Sequence, residues 1–241
     1  MGGSTPGGGA QQEYPHGLWA GSREAGACSR ELKADGGRKL IAIIDYGSGN
    51  LRSVYNAFRF LGQEVRVCQS PEELVRADKI VLPGVGSSKD AMEGLESRGL
   101  TGPLVDQLGK GKPFLGICLG LQLLFERSEE SGGCDCLGLV KGQVRLFPGG
   151  GGRKVPQIGW NTVEAAGGAC PLFRGIQSGS YFYFVHSYYC DCGQEGNISG
   201  RTEYGVNYAS AIWKENIFAV QFHPERSQSN GLKILENFTE L

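Results

Sequence analysis

Phe114-Leu115-Gly116-Ile117-Cys118-Leu119-Gly120-Leu121-Gln122 decides the reading of this chain. Phe114 to Ile117 is a short unbroken apolar run, as expected of a strand buried on both faces. Leu119 to Glu130 is then predicted as a helix. A cysteine lying between them, flanked by glycines at 116 and 120, sits where a strand turns sharply into a helix. Such a turn pushes a nucleophile into an exposed, strained position, and the glycines leave room for the bend and for a substrate. The helix start beyond it favours a thiolate. The backbone N–H of Leu119 then lies where a tetrahedral oxyanion would form. The alternative is a buried structural cysteine at a strand end.

Upstream, the same alternation repeats. Leu40 to Ile44 is a continuous apolar run, Asp45 to Asn50 a turn, and Leu51 to Leu61 an amphipathic helix with Val54, Phe58 and Leu61 on one face. Glu64 to Cys68 is a second strand, and Ser70-Pro71-Glu72-Glu73 a helix start. Lys79 to Leu82 is a third strand, followed by Pro83-Gly84-Val85-Gly86 and a helical stretch. This rhythm predicts an α/β fold with a central, mostly parallel sheet flanked by helices. Downstream the pattern changes. Val144 to Phe147, Thr162-Val163, Tyr181 to Tyr189, Ala209 to Trp213 and Ile217 to Phe222 read as strands. The C-terminal half is therefore expected to be β-rich, closing with a helix over about Gly231 to Leu241.

Residues 1–38 differ from the rest. They carry Gly-Gly-Ser-Thr-Pro-Gly-Gly-Gly and little periodic apolar pattern, and are expected to be a disordered extension ahead of one domain over 39–241. The domain has ample apolar material, with hydrophobic residues at 40% of 241. A formal net charge of −1 lacks the basic excess of a nucleic-acid binder. The longest uncharged apolar-rich run, Pro113 to Phe125, is too short to span a bilayer, and no secretory signal is visible. The eight cysteines are thus read as reduced thiols in a cytoplasmic setting. Cys134-Asp135-Cys136 and Cys190-Asp191-Cys192 lack the C-x₂₋₄-C spacing of structural zinc, so no metal is expected and exposed loop thiols are. Tyr181 to Val185 has no interleaved basic residues and is read as a buried strand rather than a base-stacking surface.

Two further motifs carry chemistry. In Gln221-Phe222-His223-Pro224-Glu225, extended backbone would point His223 and Glu225 the same way. The carboxylate could then fix the imidazole tautomer and stabilise its charged form, and His223 could move a proton to and from Cys118. Of the three histidines, His16 lies in the extension and His186 is the only competitor. Gly84-Val85-Gly86, after a parallel strand, lies where open α/β sheets place ligands, and its glycines would permit a peptide flip that supplies a second oxyanion donor.

Taken together, G-I-C-L-G-L-Q at 116–122 and F-H-P-E at 222–225 resemble the class I glutamine amidotransferase domain, which has a flavodoxin-like fold. D-Y-G-S-G-N-L-R-S-V at 45–54, P-G-V-G at 83–86, P-Q-I-G-W-N at 156–161 and Y-F-V-H-S-Y at 183–188 resemble, within it, the glutaminase subunits of imidazole glycerol phosphate synthase. The resemblance implies a Cys118–His223–Glu225 triad that hydrolyses glutamine through a glutamyl thioester, with no cofactor. It implies oxyanion donors at Val85 and Leu119. It places Gly84, Gly86, Gln122, Glu130, His186, Ser187 and Tyr188 at the glutamine site. It also implies a separate (β/α)₈-barrel cyclase as heterodimeric partner, which takes the ammonia to form imidazole glycerol phosphate and an aminoimidazole carboxamide ribotide. The acceptor is accordingly expected on a separate chain and not after Leu241. Tyr46, Gly47, Ser48, Gly49 and Asn50, the stretch Gln157 to Trp160 with Gln157 and Trp160 foremost, and Arg226 are the expected docking residues. Gln157 and Arg226 stand where the family often has histidine and lysine, which bears on interface signalling and not on hydrolysis. A glutaminase of anthranilate or aminodeoxychorismate synthesis, a catalytically silent module on the same fold, and a cysteine peptidase are the competing readings.

Overall fold

A computed structural model describes residues 39–47, 51–150, 152–166 and 170–241. The glycine-rich extension and Ser48, Gly49 and Asn50 lie outside the described residues. The first half runs β1 (Leu40–Ile44), α1 (Leu51–Phe60), β2 (Glu64–Cys68), α2 (Pro71–Arg76), β3 (Lys79–Gly84), α3 (Ser88–Ser97), α4 (Thr101–Gly109) and β4 (Phe114–Cys118). The second runs α5 (Leu119–Gln122), β5 (Arg127–Ser128), β6 (Cys134–Asp135), β7 (Gly142–Leu146), β8 (Gln157–Ala165), β9 (Ser180–His186), β10 (Tyr188–Cys192), β11 (Ile198–Glu203), β12 (Asn207–Lys214), β13 (Ile217–Val220) and α6 (Gln228–Thr239).

The parallel strands stand in the order β2-β1-β3-β4-β13. This is the flavodoxin-like order, with β13 arriving from the far end of the sequence to take the fifth place. Beyond it β12, β10 and β7 pair antiparallel, as the β-rich reading of this half anticipates. β3, β4 and β13 are buried along their whole length, which is why their sequences do not alternate. Successive residues of β1 feed two separate cores. Ala42 and Ile44 join Leu74, Leu95 and Leu104 of α2, α3 and α4. Ile41 and Ile43 join Val54 and Phe58 of α1 and Leu235 and Phe238 of α6. Helices thus cover both faces.

The start of α2 follows its sequence closely. Glu73 N donates to Ser70 Oγ at 3.4 Å, and Ser70 N donates back to Glu73 Oε2 at 3.2 Å, with Pro71 opening the helix. Lys79, only 1% exposed, ties β3 to the end of α6: its Nζ donates to the carbonyls of Phe238 (2.9 Å) and Thr239 (2.8 Å) in the helix's last turn. Desolvation lowers the pKa of Lys79 to about 8.

Several expectations are corrected. The helix predicted to reach Glu130 stops at Gln122. Residues 119–125 are buried on every side, and the incoming segment 137–140 takes the freed carbonyls: Leu137 N donates to Leu123 O, Gly138 N to Phe125 O, and Leu139 N and Val140 N to Leu124 O, each at 2.9 Å. The stretch predicted as one strand from Tyr181 to Tyr189 is two. β9 pairs with β8, β10 pairs with β7 and β12, and Ser187 is the break. Within β9 the burial alternates, with Phe182 and Phe184 inside and Tyr181 60% exposed, so only one face is covered. β11 carries no apolar run and was not expected. Cys190 is buried in the core rather than on a loop, and the described cysteines are all free thiols.

Candidate active site

Cys118 ends β4 with φ 55° and ψ −105°, a conformation that strains an L-residue. Close packing imposes it. A Cβ on Gly120 would run into the Leu82 carbonyl, and one on Gly116 would come within 2.6 Å of the Gly120 carbonyl oxygen. β3, β4 and the first turn after Cys118 therefore touch backbone to backbone, and only glycine fits at 116 and 120. The predicted elbow is present, followed by a single helical turn.

His223 approaches from the end of β13. Its N–H donates to Tyr183 O at 2.9 Å, and Ser227 Oγ donates to its carbonyl at 2.6 Å while accepting from Tyr183 N at 3.0 Å. These bonds pin the His-Pro-Glu segment to β9. The backbone is not extended through Glu225 as predicted. Pro224 opens a 3₁₀ turn over Pro224–Arg226, its fixed φ suiting a first helical position. Gly231 permits that turn, because a Cβ there would run into Pro224 O. The turn brings Glu225 Oε1 to 2.8 Å from His223 Nδ1, with both side chains sealed from solvent (2% and 0% exposed). His223 Nε2 is buried and completes no regular hydrogen bond among the described residues; the group coupled to it is the Cys118 thiol. Burial opposes charge on this ring. The facing sulfur and the Glu225 carboxylate outweigh it and raise the His223 pKa to about 10.

His186 cannot take the same role. Its Nδ1 lies 2.7 Å from Tyr188 O and its Nε2 3.3 Å from the Tyr208 hydroxyl. Desolvation lowers its pKa to about 4. The ring is neutral, with both nitrogens occupied.

A cavity of about 300 Å³ opens beside the sulfur. That lies at the small end of ligand sites, roughly 300–1,000 Å³. Val85, Gly86, Cys118, Leu119, Gln122, Glu130, His186, Ser187 and Tyr188 line it, all predicted, together with Pro156 and Val185, which were not. Gly84 does not line it. It lies beneath, where a Cβ would strike the Tyr46 hydroxyl. Glu130 is fixed in the wall by Ser88, whose N–H and hydroxyl donate to Oε2 at 2.6 and 3.1 Å. Both amide hydrogens of Gln122 are committed internally, to Tyr188 O (3.0 Å) and Gln221 Oε1 (3.1 Å). A thiol, an imidazole held by a carboxylate, and a small cavity with an amide acceptor and an anchored carboxylate can together perform acyl transfer on a compact amino-acid side chain.

The Glutamine amidotransferase class-I family matches residues 42–241, nearly all of the described chain. The chain belongs to that family. Within it, the chain is 49% identical over 199 residues to the Imidazole glycerol phosphate synthase subunit HisH of Desulfitobacterium hafniense, covering 83% of this chain and 93% of that protein. It is 49% identical over 201 residues to the protein of the same name from Moorella thermoacetica, covering 83% and 94%. Among solved structures it overlays the structure of PurLQS from Thermotoga maritima with a TM-score of 0.67 at 20% identity, covering 84% of this chain and 98% of that one. A likeness at that identity speaks for the fold, and the fold is that of the family.

The expected docking residues divide. Tyr46 and Gln157 are buried, 4% and 3% exposed, and Gln157 Oε1 accepts from the Tyr208 hydroxyl at 3.0 Å. Neither presents its side chain outward. Gly47 is exposed with φ 100°, a left-handed turn held by its N–H to Asp45 Oδ1 at 2.8 Å. Trp160 (46% exposed) and Ile158 (63%) stand out from the same face of β8. Arg226 is exposed one residue after Glu225. Among the described residues no helix is long and apolar enough to cross a membrane.

Proposed function

We propose that this chain is the glutaminase subunit of an imidazole glycerol phosphate synthase, built from a catalytic domain over 39–241 and a separate extension over 1–38, and working in the cytoplasm. The observation that carries the reading is the His223 ring, held by Glu225 on one nitrogen and facing the Cys118 thiol with the other, beside a cavity of amino-acid size. The names and identities of its relatives support the pathway.

In this mechanism the Cys118 proton rests on His223 Nε2, which is charged at neutral pH, and the sulfur attacks the side-chain amide carbon of glutamine. The N–H groups of Leu119 and Val85 receive the oxyanion, Val85 after its peptide turns inward. His223 returns the proton to the departing nitrogen, the C–N bond breaks, and ammonia leaves a glutamyl thioester. Water, deprotonated by the same imidazole, then cleaves the C–S bond and restores the thiol. Gln122 Oε1, without a donor among the described residues, and the Glu130 carboxylate accept from N–H groups of the substrate. Ammonia passes to a separate (β/α)₈-barrel cyclase, which seats on the face carrying Trp160, Ile158 and Arg226.

The test is to incubate the protein with an electrophilic glutamine analogue, with and without the cyclase, and to map the adduct by mass spectrometry. Labelling at Cys118, faster with the liganded cyclase, is the expected result. Labelling elsewhere removes the mechanism, and full activity of the lone subunit removes the gating by Val85.

A further inference from the structure

The Cys118 sulfur has polar neighbours besides His223: the Val185 carbonyl oxygen at 4.0 Å and a side-chain amide. Gln221 follows β13, is 0% exposed, and places Nε2 3.7 Å from Cys118 Sγ. Its orientation is fixed from the other end. Oε1 accepts from Gln122 Nε2 at 3.1 Å and lies 3.9 Å from the Cys190 thiol, while the backbone N–H is anchored on Ser210 O at 2.8 Å. An amide whose oxygen is occupied by donors must present its NH₂ group at the other end, and an NH₂ group only donates. The sulfur therefore meets a fixed donor, in a buried region where such bonds are strong and where the Gln122 contact polarises the Gln221 amide further.

A donor of this kind does not serve the three states of sulfur equally. A thiol accepts weakly, a thiolate strongly, and a thioester sulfur weakly again. We propose that Gln221 is a catalytic residue of this site, donating from Nε2 to Cys118 Sγ so as to stabilise and orient the thiolate that attacks the substrate. It forms and breaks no covalent bond. The S–H proton goes to His223, the charge left on sulfur strengthens the Nε2–H···S contact, and bonding of sulfur to the acyl carbon removes that charge and weakens it. This assignment rests on Cys118 being the nucleophile. Its role differs from that of His223: the imidazolium must leave the sulfur to protonate the departing nitrogen, whereas the Gln221 amide stays in place.

The test follows alkylation of Cys118 by iodoacetamide between pH 5 and 9 on the full-length chain, read peptide by peptide, in wild type and Gln221→Met. Methionine fills the space and cannot donate. The expected result is a midpoint about one pH unit higher, hence roughly tenfold slower alkylation at neutral pH, with a similar fall in kcat for glutamate release beside the cyclase and little change in KM. Gln221→Glu, which can still accept from Gln122 but when ionised cannot donate to sulfur, is expected to behave alike, and it serves if the methionine variant is too unstable to isolate. An unchanged midpoint in either folded variant overturns the role of Gln221. Failure of glutamine to protect Cys118 in the wild type would instead overturn its reading as nucleophile, so the two failures are distinguishable.

Discussion

Gly120 and Leu82 are in backbone contact: the space a Cβ would need at position 120 is already filled by the carbonyl oxygen of Leu82 on the neighbouring strand. The bend at Cys118 is thereby set by main-chain atoms, which cannot rotate out of the way. Gly120→Ala is expected to cost about 3 kcal/mol, the upper part of the usual range for overpacking, and to abolish glutaminase activity even where the protein still folds. Urea unfolding beside single-turnover glutamate release checks both.

The histidines of the described chain should titrate far apart. His186 is expected to hold its ring neutral down to about pH 4, and His223 to remain charged until about pH 10. Because the folded pKa of His223 lies above its unfolded value, its contribution to stability is complete below about pH 6.5 and is lost as the pH rises through about 10. Cys118→Ser removes the facing sulfur charge, leaving only Glu225 against burial, so His223 should then titrate well below 10. Nitrogen-15 chemical shifts of both rings across pH decide this.

Glu225→Gln keeps an acceptor beside His223 Nδ1 but removes the charge. The imidazolium loses its stabiliser, and kcat should fall by about 10²–10⁴-fold, with KM for glutamine nearly unchanged. A fall in activity driven by KM would show that Glu225 shapes the cavity instead.

Lys79→Met removes the buried side-chain donor that the Phe238 and Thr239 carbonyls share. The expected loss is about 1–3 kcal/mol, with no change in kcat per folded molecule, because Lys79 lies at the start of β3 and the cavity at its far end. Chemical unfolding and activity measured on the same sample separate the two effects.

Trp160→Ala should weaken association with the cyclase by about tenfold or more while leaving Cys118 alkylation intact, since Trp160 is exposed and does not line the cavity. Titration calorimetry with the cyclase measures it.

The parallel half was legible because its strands are buried on both faces. Leu40 to Ile44 and Phe114 to Ile117 read as strands for the physical reason that makes them central. The elbow was legible in two glycines around one cysteine, and the α2 start in Ser70 to Glu73, because those signals are local. What escaped was set by distant chain. Leu119 to Glu130 reads as a long helix, and only the carbonyls taken up by residues 137–140 end it early. β11 exists because β12 and β8 offer it edges, which Ile-Ser-Gly-Arg-Thr-Glu does not announce. Gln157 and Tyr46 read as surface residues and proved buried. Gln221 was passed over as the lead-in to a motif, since nothing local says that its amide meets a sulfur 103 positions away.

Gln122 spends both of its amide hydrogens inside the protein. What reaches that wall of the cavity finds an oxygen to satisfy and no hydrogen to be offered. A guest presenting a lone pair there is repelled, and one presenting a hydrogen is welcomed. The wall thus sorts visitors by electronic polarity, through a bonding pattern completed before any visitor arrives.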